Sequence, residues 1–136
     1  MRSYRPADGL PQAQVTAIAQ DPSGFLWVGT QAGGVARYDG RRWETFDAES
    51  GLSGSSVYGL AVDSKGLVYA ASNGGAARYT GHAWELLPLP KDPGHALVTA
   101  IALGAKDEVY LGTYAGLVVL EAAGGSTETL VSDASL

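Results

Sequence analysis

The residues that could support catalysis are few in this chain, and they form no known catalytic pattern. There are no cysteines and only two histidines, His82 and His95, so thiolate chemistry and Cys-ligated zinc are excluded. The sequence contains no HExxH motif, no Gly-rich phosphate loop, no Ser-His-Asp order and no carboxylate pair at catalytic spacing. His82 follows Gly81 in a predicted hairpin turn and is expected to be exposed. These observations favour a protein without enzymatic activity and without a cofactor.

Two aspartates, Asp21 and Asp63, stand at equivalent places before turns that end in glycine. Carboxylates at such places could ligate a metal ion. An aspartate at the start of a turn, however, also accepts hydrogen bonds from the backbone of that turn. Because the turns explain both residues, we predict that Asp21 and Asp63 are turn caps and that the chain has no metal site.

Two arginines, Arg37 and Arg78, are each followed by a tyrosine and could together form an anion site. Both recur, however, at the same place in a repeated unit. We therefore predict that they pack over Trp43 and Trp84 or hold the neighbouring strand in place. The three tryptophans of the chain are expected to anchor the packing of the repeats.

An internal repeat positions these residues. One turn-plus-strand unit occurs three times: DPSGFLWVGT at 21–30, DSKGLVYAAS at 63–72 and GAKDEVYLGT at 104–113. The strand before each unit begins at Val15, Val57 and Val98, so the period is 42 and then 41 residues. The third copy is looser, since it lacks the Arg-Tyr pair and the last tryptophan.

Each copy contains four short apolar segments separated by turns, and 19 of the 136 residues are glycine. No segment has the apolar spacing of an amphipathic helix. Four strands with a period near 42 residues are typical of a β-propeller, in which four-stranded blades surround a channel. The sequence therefore predicts an all-β propeller unit over residues 1–136. Its three four-stranded antiparallel blades are expected at about 8–47, 50–88 and 92–131.

The repeat resembles the two-component regulator propeller repeat. A blade of that family reads roughly GLP, V-x-x-I, D-x-x-G-x-L-W-V-G-T, G-G-[VL]-x-R-[YF]-D-G and W. The first copy carries this pattern: Gly9-Leu10-Pro11, Val15, Ile18, Asp21, Gly24, Leu26-Trp27-Val28-Gly29-Thr30, Gly33-Gly34-Val35, Arg37-Tyr38-Asp39-Gly40 and Trp43. The second copy has Tyr69 in place of Trp, and the third is partial, with Gly104 and Asp107 at the turn positions. The resemblance implies the sensor region of a bacterial hybrid histidine kinase or a stand-alone propeller. It also implies a periplasmic location if the chain is cut from a sensor kinase.

Composition argues against several classes of partner. With 9 basic and 14 acidic residues and a formal net charge of −5, the chain lacks the clustered cations that bind nucleic acid or an anionic membrane. No apolar run approaches the ~18–20 residues that cross a bilayer, so membrane insertion is not expected. The first eleven residues also lack the apolar region of a signal peptide.

Three blades are too few to close a propeller. Each blade must bury both faces, and known propellers have at least about four blades. The chain is then either a segment of a longer propeller or a unit that closes by self-association. We favour a six-bladed homodimer over a nine-bladed trimer and over an open fan, which would expose two apolar faces. The ends fit a seam, since Arg2 to Tyr4 occupy the place where a fourth strand would end, and residues 132–136 resemble the start of another link.

One face of the predicted propeller collects the loops that enter each first strand and the turns between second and third strands. The ligand-binding residues predicted there are Gln12, Gln14, Gln31, Ser55, Tyr58, Asn73, His95 and Tyr114, with Ser53 and Ser56 beside them. Amides, hydroxyls and aromatic rings suit a neutral polar ligand such as a sugar or a peptide.

We therefore expect a non-enzymatic recognition or assembly module that binds itself and a small polar ligand or a protein partner. A scaffold piece whose only property is assembly is a further possibility. The alternative from another class is a propeller lyase or hydrolase with a metal-assisted site at the channel mouth. The streptogramin-lyase type shares the D-x-x-G-x-[LIV]-W pattern but would need His and Glu around a metal, and His95 is the only histidine on the predicted face.

Overall fold

The computed structural model describes residues 2–10, 14–91, 97–121 and 127–131, with only the backbone described at residues 8, 48 and 127–131. These residues form three four-stranded sheets. Sheet 1 comprises β1 (Val15–Gln20), β2 (Leu26–Thr30), β3 (Val35–Tyr38) and β4 (Trp43–Phe46). Sheet 2 comprises β5 (Val57–Val62), β6 (Val68–Ser72), β7 (Gly75–Tyr79) and β8 (Trp84–Leu86). Sheet 3 comprises β9 (Val98–Leu103), β10 (Val109–Thr113), β11 (Gly116–Leu120) and β12 (Thr127–Val131).

Strands that follow one another in the chain pair antiparallel in each sheet, so every sheet is an up-and-down meander. The predicted architecture of three four-stranded antiparallel repeats is confirmed. Helical structure in the described ranges is limited to two three-residue 3-10 turns, Pro6–Asp8 and Ala48–Ser50. No helix of the described chain has the length and apolar character needed to span a membrane.

The register repeats from sheet to sheet. Three rows of paired residues are equivalent: Trp27–Arg37–Glu44, Tyr69–Arg78–Glu85 and Tyr110–Val119–Glu128. A position in one sheet can therefore be compared directly with its counterparts in the other two.

The turn between the first and second strands has one backbone geometry in all three sheets. Its fourth residue has positive φ: Gly24 at 90°, Gly66 at 85° and Asp107 at 62°. Glycine adopts this conformation without steric cost, and aspartate is among the few other residues that tolerate it. The turn of sheet 3 thus keeps this geometry although its first and fourth residues are exchanged. Gly104 stands where the other copies have aspartate, and Asp107 stands where they have glycine.

Sheets 1 and 2 pack through an aromatic core. Trp27 is 2% exposed and stacks on Phe46, with ring centroids 5.8 Å apart. Tyr79 and Trp84 of sheet 2 lie 5.4 and 6.0 Å from the Trp27 ring. These rings form one cluster with Val35, Leu52, Val57 and Val68. Trp27 and Trp84 therefore anchor the packing between repeats, as predicted.

Sheets 2 and 3 pack through a mainly aliphatic core. Its buried members are Tyr69, Ala71, Ala76, Val98, Val109, Leu111, Val118 and Leu120. Leu87 and Leu89, from the segment after β8, pack against it.

The first strands of the three sheets lie together at one edge of the stack, where β1 contacts β5 and β5 contacts β9. The Thr16 hydroxyl donates a hydrogen bond to the carbonyl of Val57. The approach at this edge is close, because a Cβ added to Gly29 would lie 2.6 Å from Cγ1 of Val57. Glycine at position 29 therefore lets sheet 2 pack directly on sheet 1.

The face of sheet 1 that points away from sheet 2 is partly covered by residues 2–10. The Tyr4 ring lies 5.3 Å from Tyr38 and 5.7 Å from Trp43. Leu10 is 6% exposed, whereas Ile18 on β1 is 65% exposed. This face is therefore apolar, and only part of it is shielded.

Candidate functional site

The predicted loop face is held together by backbone hydrogen bonds between successive loops. The amide of Gln31 donates to the carbonyl of Gln14 at 3.1 Å, within sheet 1. The amide of Gly34 donates to the carbonyl of Ser55 at 3.0 Å, which joins the β2–β3 turn to the loop before β5. The predicted positions of the first two repeats thus lie on one connected surface.

Asn73 closes the same loop from the other side. Its amide donates to the carbonyl of Ser56 at 3.0 Å, and its side-chain oxygen accepts from the amide of Ser56 at 3.2 Å. Ser53 and Ser72 share a hydrogen bond of 2.6 Å between their hydroxyls. Part of the polar character predicted for ligand binding is therefore used to fix the loop.

A hydroxyl at the end of each second strand fixes the turn that follows. Thr30, Ser72 and Thr113 donate to the carbonyls of the glycines that close their turns, at 2.9, 3.3 and 2.8 Å. Each hydroxyl also accepts a backbone N–H of its turn. The loop face thus rests on three equivalent, internally bonded turns.

The aromatic residues of the loop face remain accessible. Tyr58 on β5 is 41% exposed, and Tyr114 in the β10–β11 turn is 78% exposed. The side chains of Gln14, Gln31 and Ser55 are also exposed. Gln12 and His95 lie outside the described residues. The described face therefore offers phenol rings and amides above a backbone that is already hydrogen-bonded.

Asp21 and Asp63 cap their own turns, as predicted. One oxygen of Asp21 accepts from the amides of Ser23 and Phe25 at 2.9 and 3.0 Å, and the other accepts from the indole N–H of Trp27 at 2.9 Å. Asp63 repeats this pattern with the amides of Lys65 and Leu67 and with the hydroxyl of Tyr69, each at 2.9 Å. Each carboxylate thus ties its turn to the anchor residue of the second strand.

No group of three or more His, Cys, Asp or Glu side chains that could hold a metal ion occurs among the residues the structure describes. His82 is exposed in its turn, as predicted.

Arg37 holds the neighbouring strand through an ion pair with Glu44 of β4, as predicted, but its packing differs from the prediction. Its guanidinium lies 5.3 Å from the rings of both Phe25 and Trp27, and 5.6 Å from those of Phe46 and Tyr79. Of the two predicted roles, the structure shows the tie to the neighbouring strand and not the packing over Trp43. Tyr38 pairs with Trp43 and shares its face, whereas Arg37, one position earlier, points to the other face.

Arg78 repeats the ion pair, with Glu85 of β8, but in different surroundings. A hydrogen bond with the Tyr69 hydroxyl is the main cause that raises the pKa of Arg78. Burial, followed by the bond with Asp63, raises the pKa of Tyr69. These groups line a groove of about 290 Å³ between sheets 2 and 3, together with Leu67, Val109 and Leu120.

Sequence reasoning missed this groove. The signal that could have revealed it is the loss of aromatic residues in the repeat. Phe46 and Tyr79 of the first interface correspond to Leu87 and Leu120 in the second. The corresponding groove between sheets 1 and 2, which Arg37 lines, is smaller, at about 200 Å³.

Residues 9–32 match the family model described as the two component regulator propeller. The resemblance read from the sequence is thereby confirmed over these residues of the first copy. No curated protein matches the chain.

Solved structures with the same fold include extracellular domains of two proteins from B. thetaiotaomicron described as hybrid two component systems. One is 23% identical with a TM-score of 0.81, over 96% of this chain and 20% of that chain. The other is 20% identical with a TM-score of 0.78, over 89% of this chain and 17% of that chain. Virginiamycin B lyase from Staphylococcus aureus is 15% identical with a TM-score of 0.71, over 93% of this chain and 44% of that chain.

The chain thus spans a fifth or less of the sensor domains and under half of the lyase. At these identities the similarity establishes the β-propeller fold, and function has to be argued from the surface of this chain.

Proposed function

We propose that the chain is a non-enzymatic recognition module of the sensor-propeller type. It closes into a six-bladed propeller by pairing with a second copy, and it binds a small polar ligand or a short peptide on the loop face. The observation that carries the proposal is the exposure of the two end sheets at positions that are buried elsewhere in the stack.

The free face of sheet 3 is open where its counterparts are buried. Trp27 and Tyr69 are 2% and 4% exposed because the next sheet covers them, whereas the equivalent Tyr110 is only half-buried. Val35 is fully buried, and its counterpart Leu117 is half-buried. A further blade on this face would restore the burial found in the other two sheets.

The free face of sheet 1, which points away from sheet 2, is also more exposed than the equivalent faces of sheets 2 and 3. Ile18 is 65% exposed, although its counterparts Leu60 and Ile101 are half-buried against the preceding sheet. Trp43 is half-buried where Trp84 is 6% exposed. The two end faces therefore carry the two halves of one interface, and a head-to-tail contact that closes after two copies satisfies both.

The mass in solution tests the closed assembly. Light scattering behind a sizing column is expected to give twice the 14.0 kDa of one chain. Three times that mass would keep closure and change the blade number. A stable monomer at all concentrations would overturn the assembly.

Ligand binding is supported by the contrast between a bonded loop backbone and exposed rings. Tyr58 and Tyr114 can stack on a sugar ring or a peptide side chain without reorganisation of the loops beneath them. Neutral oligosaccharides and short peptides are the probes, with binding followed by calorimetry. Tyr58→Ala or Tyr114→Ala is expected to weaken binding at least tenfold, whereas Leu86→Ser, an exposed position on β8, is expected to change nothing.

The alternative function, a propeller lyase, predicts that the purified protein contains a metal and has an activity. A bound metal, together with an activity that is lost in His95→Ala, would replace recognition by catalysis. A metal-free protein whose ligand binding is indifferent to His95→Ala would support the recognition module.

A further inference from the structure

Tyr4 makes, against sheet 1, the contacts that Phe46 makes against sheet 2. Phe46 is the last residue of β4, and its ring lies 5.0 Å from Tyr79 and 5.9 Å from Trp84. The equivalents of those two residues in sheet 1 are Tyr38 and Trp43, and Tyr4 lies 5.3 and 5.7 Å from them. One aromatic side chain thus occupies the same place on two successive sheets.

The residues after Tyr4 repeat the link that follows Phe46. Both links have a 3-10 turn at the second to fourth positions, Pro6–Asp8 in one and Ala48–Ser50 in the other. Both then place a glycine with positive φ at the fifth position, 110° at Gly9 and 94° at Gly51. A buried leucine ends each of them, Leu10 at 6% and Leu52 at 4% exposure.

Residues 4–10 therefore have the conformation of a link between blades. In the first interface this conformation belongs to the end of a fourth strand whose sheet packs on the next one. We propose that Tyr4 forms the seam of the assembly, because it supplies the terminal residue of the fourth strand to sheet 3 of a second copy. This inference rests on the closed assembly proposed above and names the residue that specifies it.

The register identifies the partner position. Phe46 pairs with Val35 in sheet 1, and the counterpart of Val35 in sheet 3 is Leu117. Tyr4 of one copy is therefore placed beside Leu117 of the second copy. Leu117 is half-buried in the single copy, so its face can receive a further ring.

Two residues compete for that place. Within one copy the backbone of Leu117 pairs with Val131, the last residue of β12. Tyr4 has the advantage, because it is already seated on Tyr38 and Trp43 before the copies meet and brings an aromatic ring where β12 has a valine. The end of β12 is expected to yield to it.

A double-mutant cycle on the dimer tests the proposal, with dissociation constants from a dilution series in the full-length chain. Tyr4→Ala and Leu117→Ala are each expected to raise the dimer dissociation constant at least tenfold. The combined variant should raise it by clearly less than the product of the two, because the second change removes a contact that is already lost. Tyr4→Phe, which keeps the ring, should stay within threefold of the unchanged chain.

Val131→Ala is the matched control and should also stay within threefold, with circular dichroism used to verify that every variant is folded. If the effects of Tyr4→Ala and Leu117→Ala multiply, or if Val131→Ala weakens the dimer instead, the seam proposal is overturned while the assembly stands. If the unchanged chain is monomeric, the assembly is overturned and the seam with it.

Discussion

The two interfaces within the chain use the same backbone frame and different side chains. Between sheets 1 and 2, rings surround a charged arginine, since Arg37 lies within 5.6 Å of four aromatic centroids. Between sheets 2 and 3, Arg78 borders a groove lined by leucine and valine. The equivalent arginine thus has aromatic neighbours at one interface and mainly aliphatic neighbours at the other, while both side chains stay partly exposed, at 22% and 33%.

The second interface contains a hydrogen-bonded contact between the turns that follow the first strands of its two sheets, and the described residues show no such contact between the equivalent turns of sheets 1 and 2. The amide and hydroxyl of Ser64, in the turn after β5, both donate to the carboxylate of Asp107, in the turn after β9. Asp107 stands where the other copies have glycine. The comparison indicates that loss of aromatic contacts is accompanied by a hydrogen-bonded link between neighbouring turns.

The largest effect is expected from removal of the aromatic anchor of the first interface. Trp27→Ala should lower the free energy of unfolding by about 3–5 kcal/mol, because it removes a fully buried ring and leaves a cavity. Tyr69→Ala, the matched change, should cost roughly 1 kcal/mol less, because fewer aromatic partners are lost. Urea denaturation measures both, and equal losses would mean that aromatic content does not distinguish the two interfaces.

A smaller effect is expected from the glycines at which the sheets approach each other. Gly29→Ala would place its Cβ 2.6 Å from the side chain of the fully buried Val57. We expect a loss of about 1–3 kcal/mol from overpacking.

Gly59→Ala is the counterpart at the second interface, where its Cβ would lie 2.9 Å from Ile101, which is half-buried and has room to shift. The expected loss is about 1 kcal/mol or less. A larger loss at Gly59 than at Gly29 in the same urea titration would show that the aliphatic interface is the more tightly packed one.

The smallest effect is expected from the polar link, and it depends on pH. The hydrogen bonds from Ser64 lower the pKa of Asp107 in the folded chain. The stabilisation is therefore complete above the ordinary pKa of an aspartate and is lost as the pH falls through the lowered value. Asp107→Asn, which tolerates the same positive φ, should have a lower urea midpoint at neutral pH and a smaller deficit in acid.

Ser64→Ala provides the control for this prediction. In the Ser64→Ala background, the pH-dependent part of the deficit caused by Asp107→Asn should shrink. The reason is that the hydroxyl, the larger of the two Ser64 contributions that lower the pKa of Asp107, is then absent. A deficit of Asp107→Asn that is the same at neutral and acid pH in the otherwise unchanged chain would contradict the assigned cause.

Much of the fold could be predicted because it depends on residues close in sequence. The turn caps Asp21 and Asp63 act on amides two and four positions away. The packing of Arg37 could not be predicted in this way, because the Tyr79 ring that encloses it comes from the next repeat.

The candidate site shows the same division. The predicted loop face could be located, because the repeat places equivalent turns at one end of every sheet. The roles of single residues on it could not be predicted. Asn73 is engaged with Ser56, whereas Tyr114 is left exposed.

The sequence by itself determined the strands, their order, their antiparallel pairing and the capped turns, because alternating apolar residues and turn signals act over a few positions. The tertiary structure alone decided which side chains meet between sheets. Those contacts depend on how closely two backbones approach, as at Gly29 and Val57. The contacts between sheets place aromatic rings around Arg37 and leave a groove beside Arg78. On the free face of sheet 1, Tyr4 packs on Tyr38.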